Sequence, residues 1–164
     1  MTLEDNFSSD HLTDLKKSGL SDETILEAGF KSVRPADIDK VFGYETFAKS
    51  CYEIPYAETD NSRFKMFYGE VDRVNPKTGE DRPRYLSKKG TKNHLYIPFK
   101  VKPILNDLSI PLYITEGEKK ALKATQEGLP CIAIPGLWNW KIKDKDELIP
   151  ESCTQLTANE CGAL

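Results

Sequence analysis

The stretch LYITEGEKKALKATQEGLPCIAIPG, residues 112–136, constrains the fold more than any other part of the chain. PLYIT is short and uncharged, the pattern of a strand buried on both faces, as parallel strands usually are. Ala121, Leu122, Ala124 and Thr125 then recur on one face of a helix, Gly128 stands where a helix end places glycine, and CIAI resumes a strand. Two strands joined by a helix are expected to run parallel, because the crossover carries the chain back to its starting end. An edge left open at 131–134 would offer a partner chain a strand to pair with.

Between the first strand and the helix stand Glu116, Gly117 and Glu118. Two readings fit this corner. Thr115-x-x-Glu118 spells a capping box, in which the hydroxyl and the carboxylate answer open backbone donors, and the helix dipole favours acids in a first turn by about 0.3–1 kcal/mol each. A hard cation also needs convergent carboxylate oxygens, and a strand end is stiff enough to present them. Glu118 fits the cap better. Glu116 has no comparable local duty and is the better candidate for chemistry, with Glu116 and Glu118 together as candidate metal ligands.

Upstream the pattern changes twice. SSDHLTDLKKSGLSDETILEAGF predicts a helical hairpin: Ser9 or Asp10 caps the first helix and Gly19 stops it, and Ser21 with Thr24 opens the second, which ends at Gly29. RPADIDKVFG adds a further short turn of helix, with Pro35 at its start and Gly43 after it. From about residue 51, YEIPYA, RFKMFYGEVD, PRYLSK and HLYIPF are short aromatic and β-branched runs, and NPKTGED supplies a hairpin loop. They predict an antiparallel sheet of three or four strands. Arg63 and Lys65 alternate with Phe64 and Met66, so one face of that sheet is expected to be wet and basic. The fold class is therefore α/β (α+β), with a helical region at 1–50, a basic antiparallel sheet at 51–104 and a partial α/β unit with a polar tail at 105–164.

Charge follows the same division. The net charge of −3 conceals 13 acids against 6 bases in residues 1–62, 4 against 11 in 63–104, and 9 against 6 in 105–164. A basic middle between acidic flanks suits a polyanion, although a solvated face has the same composition. Within it, RPRYLSKKGTKN sets Arg82, Arg84, Lys88, Lys89 and Lys92 around Tyr85, cations for phosphates about a ring that can stack on a base. In PGLWNWK, Trp138 and Trp140 either stack on bases or a partner, or cover the sheet edge. Four scattered cysteines without a C-x-x-C pair read as reduced thiols, and Cys131 as a small core residue. Two isolated histidines do not suggest zinc. No apolar run approaches the roughly 18 residues that span a bilayer. The N-terminus lacks a secretory pattern, and the expected compartment is the cytoplasm, without membrane contact.

LYITEGEKKALKATQEGLPCIAIPGLWNW resembles the opening of the Toprim fold of topoisomerases and bacterial-type primases, above all the Toprim-related domain of plasmid and phage primase-helicase replication proteins. LKKSGLSDETILEAGFKSV and PRYLSKKGTKNHLYIPF look like the region preceding that domain, so the resemblance spans most of residues 10–141. It implies that Glu116 acts as general acid/base or metal organiser, that magnesium is the cofactor, and that single-stranded or primer-template nucleic acid is the partner. One departure matters. The family's later strand ending in Asp-x-Asp has no counterpart: Asp144-Lys145-Asp146 has the spelling but lies in the charged run KIKDKDE without a strand before it. The resemblance thus implies a truncated Toprim-like βαβ unit and a replication-associated nucleic-acid-binding module derived from such a primase, without catalysis of its own. The alternative is a mobile-element-derived interaction protein that binds a host or defence protein.

Overall fold

The computed structural model describes residues 3–57 and 59–136. Along the chain run α1 (Leu3–Asn6), α2 (Ser9–Lys17), α3 (Asp22–Glu27), β1 (Lys31–Val33), a 3-10 turn (Pro35–Asp37), α4 (Ile38–Phe42), β2 (Ser50–Pro55), β3 (Ser62–Phe67), β4 (Tyr85–Ser87), a second 3-10 turn (Lys102–Ile104), β5 (Tyr113–Glu116), α5 (Glu118–Gln126) and β6 (Cys131–Ile134). This is a mixed α/β protein, and its described residues form one antiparallel and one parallel sheet. It divides into two compact units, Met1–Lys16 with Ala28–Thr91, and Lys17–Glu27 with Lys92–Leu164.

The first unit is built on the antiparallel sheet β1-β2-β3-β4. Period-two alternation gives it two faces. Cys51, Phe64 and Met66 point to one face, where Ile38 and Phe42 of α4 complete a core, and Val33, Val41, Ala48, Tyr68 and Leu86 close around it. Side chains as buried as Phe64 and Ile38 each contribute about 1.5–3 kcal/mol. On the other face α2 lies against β1 and β2. His11 sits between the Ser32 and Ser50 hydroxyls at 2.6 and 3.0 Å and packs on the rings of Tyr52 and Phe67, and the Tyr52 hydroxyl donates to Asp14 at 2.8 Å. Burial lowers the His11 pKa, against the pull of Asp10 and Asp14. α4 ends where Gly43 takes a left-handed φ of 74°, as its position after the helix predicts.

The expected caps hold for one helix and fail for another. Ser21 accepts from the Thr24 amide at 3.2 Å and opens α3. Ser9 and Asp10 do not cap α2: the helix already includes both, and the Leu12 amide reaches back to the Ser8 carbonyl at 3.1 Å. NPKTGED does form a turn, closed by Asn75 N–H to Glu80 O at 2.8 Å.

In the second unit β5 and β6 pair in parallel, Tyr113 with Cys131 through Glu116 with Ile134, and α5 joins them. HLYIPF does not enter the antiparallel sheet. Tyr96 forms an antiparallel bridge to Ala133 instead, on the other side of β6. Flanked on both edges, Cys131, Ile132 and Ala133 of β6 are all buried, which makes Cys131 the small core residue its surroundings predict. The expectation that PLYIT is buried on both faces is overturned. Tyr113 is 49% and Ile114 59% exposed, because among the described residues β5 has a neighbour on one side only. Among the described residues the unpaired edge is therefore that of β5, not 131–134. Leu95, Val101 and Ile132 form the core beneath, and Lys17–Glu27 is fastened to α5 through Gln126, which accepts from Ser21 N–H and donates to Gly19 O. Among the described residues no helix is long and apolar enough to cross a membrane.

Candidate nucleic-acid interface

β3 places Arg63 and Lys65 on the face of the sheet opposite the Phe64–Met66 core, and antiparallel pairing sets Lys65 against Tyr85 and Arg63 against Ser87. Two cations lie over the Tyr85 ring: Lys65 Nζ is 4.5 Å and the Arg63 guanidinium carbon 5.0 Å from its centroid. At partly exposed sites such pairs contribute about 0.5–1 kcal/mol each. The effect is to hold an ammonium and a guanidinium beside a half-buried aromatic on a hydrogen-bonded strand pair.

The other expected contacts do not gather around Tyr85. Arg82 lies over the ring of Phe47, 4.2 Å from its centroid, and its Nε donates to Asp72 O at 2.9 Å. Arg84 is exposed, and its carbonyl accepts the Met66 amide at 2.8 Å. Lys88 reaches to within 5.9 Å of the Phe64 ring centroid, and Lys89 is exposed. Lys92 is exposed and belongs to the second unit. What the sequence strings together is thus split between two sheet faces and two units. The alternation of Arg63 and Lys65 with Phe64 and Met66 was legible, but the expectation of a wet face is overturned: their partners on that face, Ile54 and Tyr52 of β2, are fully buried. Phe47 carried no signal.

At the corner of the second unit the ladder runs on to Glu116, and the Gly117 amide donates to Ile134 O at 3.1 Å. The Thr115–Glu118 capping box is therefore not formed: Thr115 stays in the strand, and Gly117, at φ 92° and ψ 132°, holds the N-cap position without a side-chain bond. The Gly117 carbonyl accepts from Lys120 and Ala121. Glu118 is the first helical residue and is 2% exposed, close enough to Tyr96 to help burial raise that phenol's pKa. Glu116 is exposed at the strand end. Among the described residues no three His, Cys, Asp or Glu side chains come together, and one of the two glutamates is buried. These residues do not by themselves compose a magnesium site, which takes near-octahedral oxygen ligation. Cys51 and Cys131 are free buried thiols, and burial pushes the Cys51 pKa up to about 12. Trp138, Trp140, Asp144 and Asp146 lie outside the described residues.

Three comparisons place this geometry. The sequence model of a family described as "Domain of unknown function (DUF3854)" matches residues 101–159. The solved structure of the DnaG catalytic core is similar with a TM-score of 0.51 at 19% identity, over 78% of this chain and 47% of that one. A search of curated proteins finds no match. At that identity the similarity is one of fold, and the fold is primase-like; the chain spans about half the length of the DnaG core it matches.

Proposed function

We propose that this chain is a replication-associated nucleic-acid-binding module derived from a plasmid or phage primase, binding single strands or a primer-template junction without phosphoryl transfer of its own. The observation that carries the reading is the Arg63–Lys65–Tyr85 grouping, which offers two phosphate-neutralising cations beside a ring on which a base can stack. The primase-like fold supports the lineage. Binding rather than catalysis is assigned because, among the described residues, Glu116 has as its neighbouring acid only the buried Glu118 and no three acidic, His or Cys side chains come together.

The test is anisotropy of a labelled single-stranded oligonucleotide between 50 and 200 mM salt. Neutralising Arg63 and Lys65 to Gln should lower the log–log salt slope by about 1.4, so the wild type loses about sevenfold more affinity across that range than the double variant. Lys77→Gln, in the exposed 75–80 turn, serves as a single-charge control, and Glu116→Gln should bind as the wild type does. Absence of binding at 50 mM salt would falsify the reading. It would favour the interaction-protein alternative, for which the open β5 edge with exposed Tyr113 and Ile114 is the specific support.

A further inference from the structure

Phe47 is the one non-glycine residue with positive φ among the described residues, at 62°. A bulky aromatic rarely adopts that region, so the surroundings must impose it. They do so from both sides. Asp39 Oδ1 accepts from the Thr46 amide at 2.9 Å and from its hydroxyl at 2.8 Å, and the Lys49 amide donates to Phe67 O at 2.8 Å. Ala48 in between turns inward onto the core. Core packing does not explain the strain, since the Phe47 ring is itself 44% exposed.

The residue on that ring is equally unusual. Arg82 stacks over Phe47 with its Nε fixed by the Asp72 carbonyl, and among the described residues it forms no ion pair. Arg73 in the same segment, by contrast, is committed to Asp81 at 3.0 Å. A guanidinium held over a ring, with its remaining donors not spent on a carboxylate, is preorganised for phosphate. Tyr44, 47% exposed, stands three residues before Phe47, and burial together with Tyr44 raises the Tyr68 pKa against the influence of Arg82.

We infer that Phe47 and Arg82 form a second nucleotide station, in which an unpaired base of a single strand stacks on the Phe47 ring and an adjoining phosphate bonds the Arg82 guanidinium. The inference rests on the proposed nucleic-acid-binding function and adds to it a stacking residue outside the basic segment. Charge favours this occupant over an apolar one, because the Arg82 guanidinium carbon lies 4.2 Å from the centroid of the half-exposed Phe47 ring. Strained backbone tends to persist where function requires the side chain it displays.

The same oligonucleotide assay, run beside thermal unfolding, tests the station. Asn tolerates positive φ, so Phe47→Asn should keep or raise the melting temperature while single-strand affinity falls about five- to 150-fold at an unchanged salt slope. Phe47→Tyr should retain affinity, and Arg82→Gln should lower the slope by about 0.7. Wild-type affinity in Phe47→Asn, loss in Phe47→Tyr equal to that in Asn, or a melting temperature that falls with affinity each overturns the station and leaves the Arg63–Lys65–Tyr85 reading standing. Failure of the wild type to bind at low salt overturns both. Competition by a free mononucleotide as effective as by the strand overturns the assignment to a polymer.

Discussion

Removing the Asp39 carboxylate tests how the first unit holds the 44–48 loop. Oδ1 of this one side chain accepts both Thr46 donors, the backbone N–H and the hydroxyl, and Thr46 is only 5% exposed. Asp39→Ala leaves two donors in a nearly dry position. A buried donor without a partner costs about 1–3 kcal/mol, and because Asp39 itself lies at the surface, where water competes, the low end applies: about 2 kcal/mol for the pair. Asp39→Asn keeps an oxygen at the same place and loses only the charge assistance, about 1 kcal/mol.

A global melt is a blunt readout for a chain of two units, whose unfolding need not be two-state. Amide hydrogen exchange at Thr46 reports the loop directly. Asp39→Ala should lower its protection about 30-fold and Asp39→Asn about fivefold, at 1.4 kcal/mol per factor of ten. Equal losses in the two variants, or no loss in either, refutes the account of Asp39 as the anchor. It would also remove the physical reason given for the Phe47 backbone.

Two further outcomes follow from single residues. His11 has its pKa lowered, chiefly by burial, so the unfolded chain takes up a proton before the folded one does; its contribution is whole above the ordinary value of about 6.5 and is lost as pH falls below that and through the folded value. The melting-temperature advantage of wild type over His11→Gln should therefore shrink between pH 7.5 and 5.5, and a pH-independent gap refutes the assignment. At Gly117 an added Cβ would meet nothing within 4 Å, yet φ 92° with ψ 132° is closed to side-chain-bearing residues, so Gly117→Ala should cost about 1–3 kcal/mol in thermal or denaturant unfolding despite the open space. A loss below about 0.5 kcal/mol would show that the corner relaxes.

Local chemistry made much of the fold readable. Ser21 and Thr24 start α3, Pro35 and Gly43 bracket the 3-10 turn and α4, and alternation in RFKMF orients β3, all from signals within a few residues. Failures came where distant partners outvoted local pattern. Thr115 and Glu118 have the spacing of a capping box, but the β5–β6 ladder holds Thr115 opposite Ala133, and a residue kept in a ladder cannot also cap the helix that follows. HLYIPF has the look of a strand, yet among the described residues it contributes a single isolated bridge, Tyr96 to Ala133 of β6, a partner no short window contains.

The same logic explains why the basic segment misleads when treated as one surface. Adjacent residues of an extended chain face opposite ways, so a run such as RPRYLSKK distributes its charges rather than concentrating them. What concentrates charge is pairing: β3 brings Arg63 and Lys65 to Tyr85, and the 44–48 loop brings Phe47 to Arg82. In both places a cation from one segment lies on a ring from another, so each station exists only in the folded unit. Nucleic-acid affinity should accordingly track the folding of residues 28–91 rather than their net charge, and a peptide of residues 82–92 alone should show the salt dependence of a polycation without the loss that ring removal brings to the intact protein.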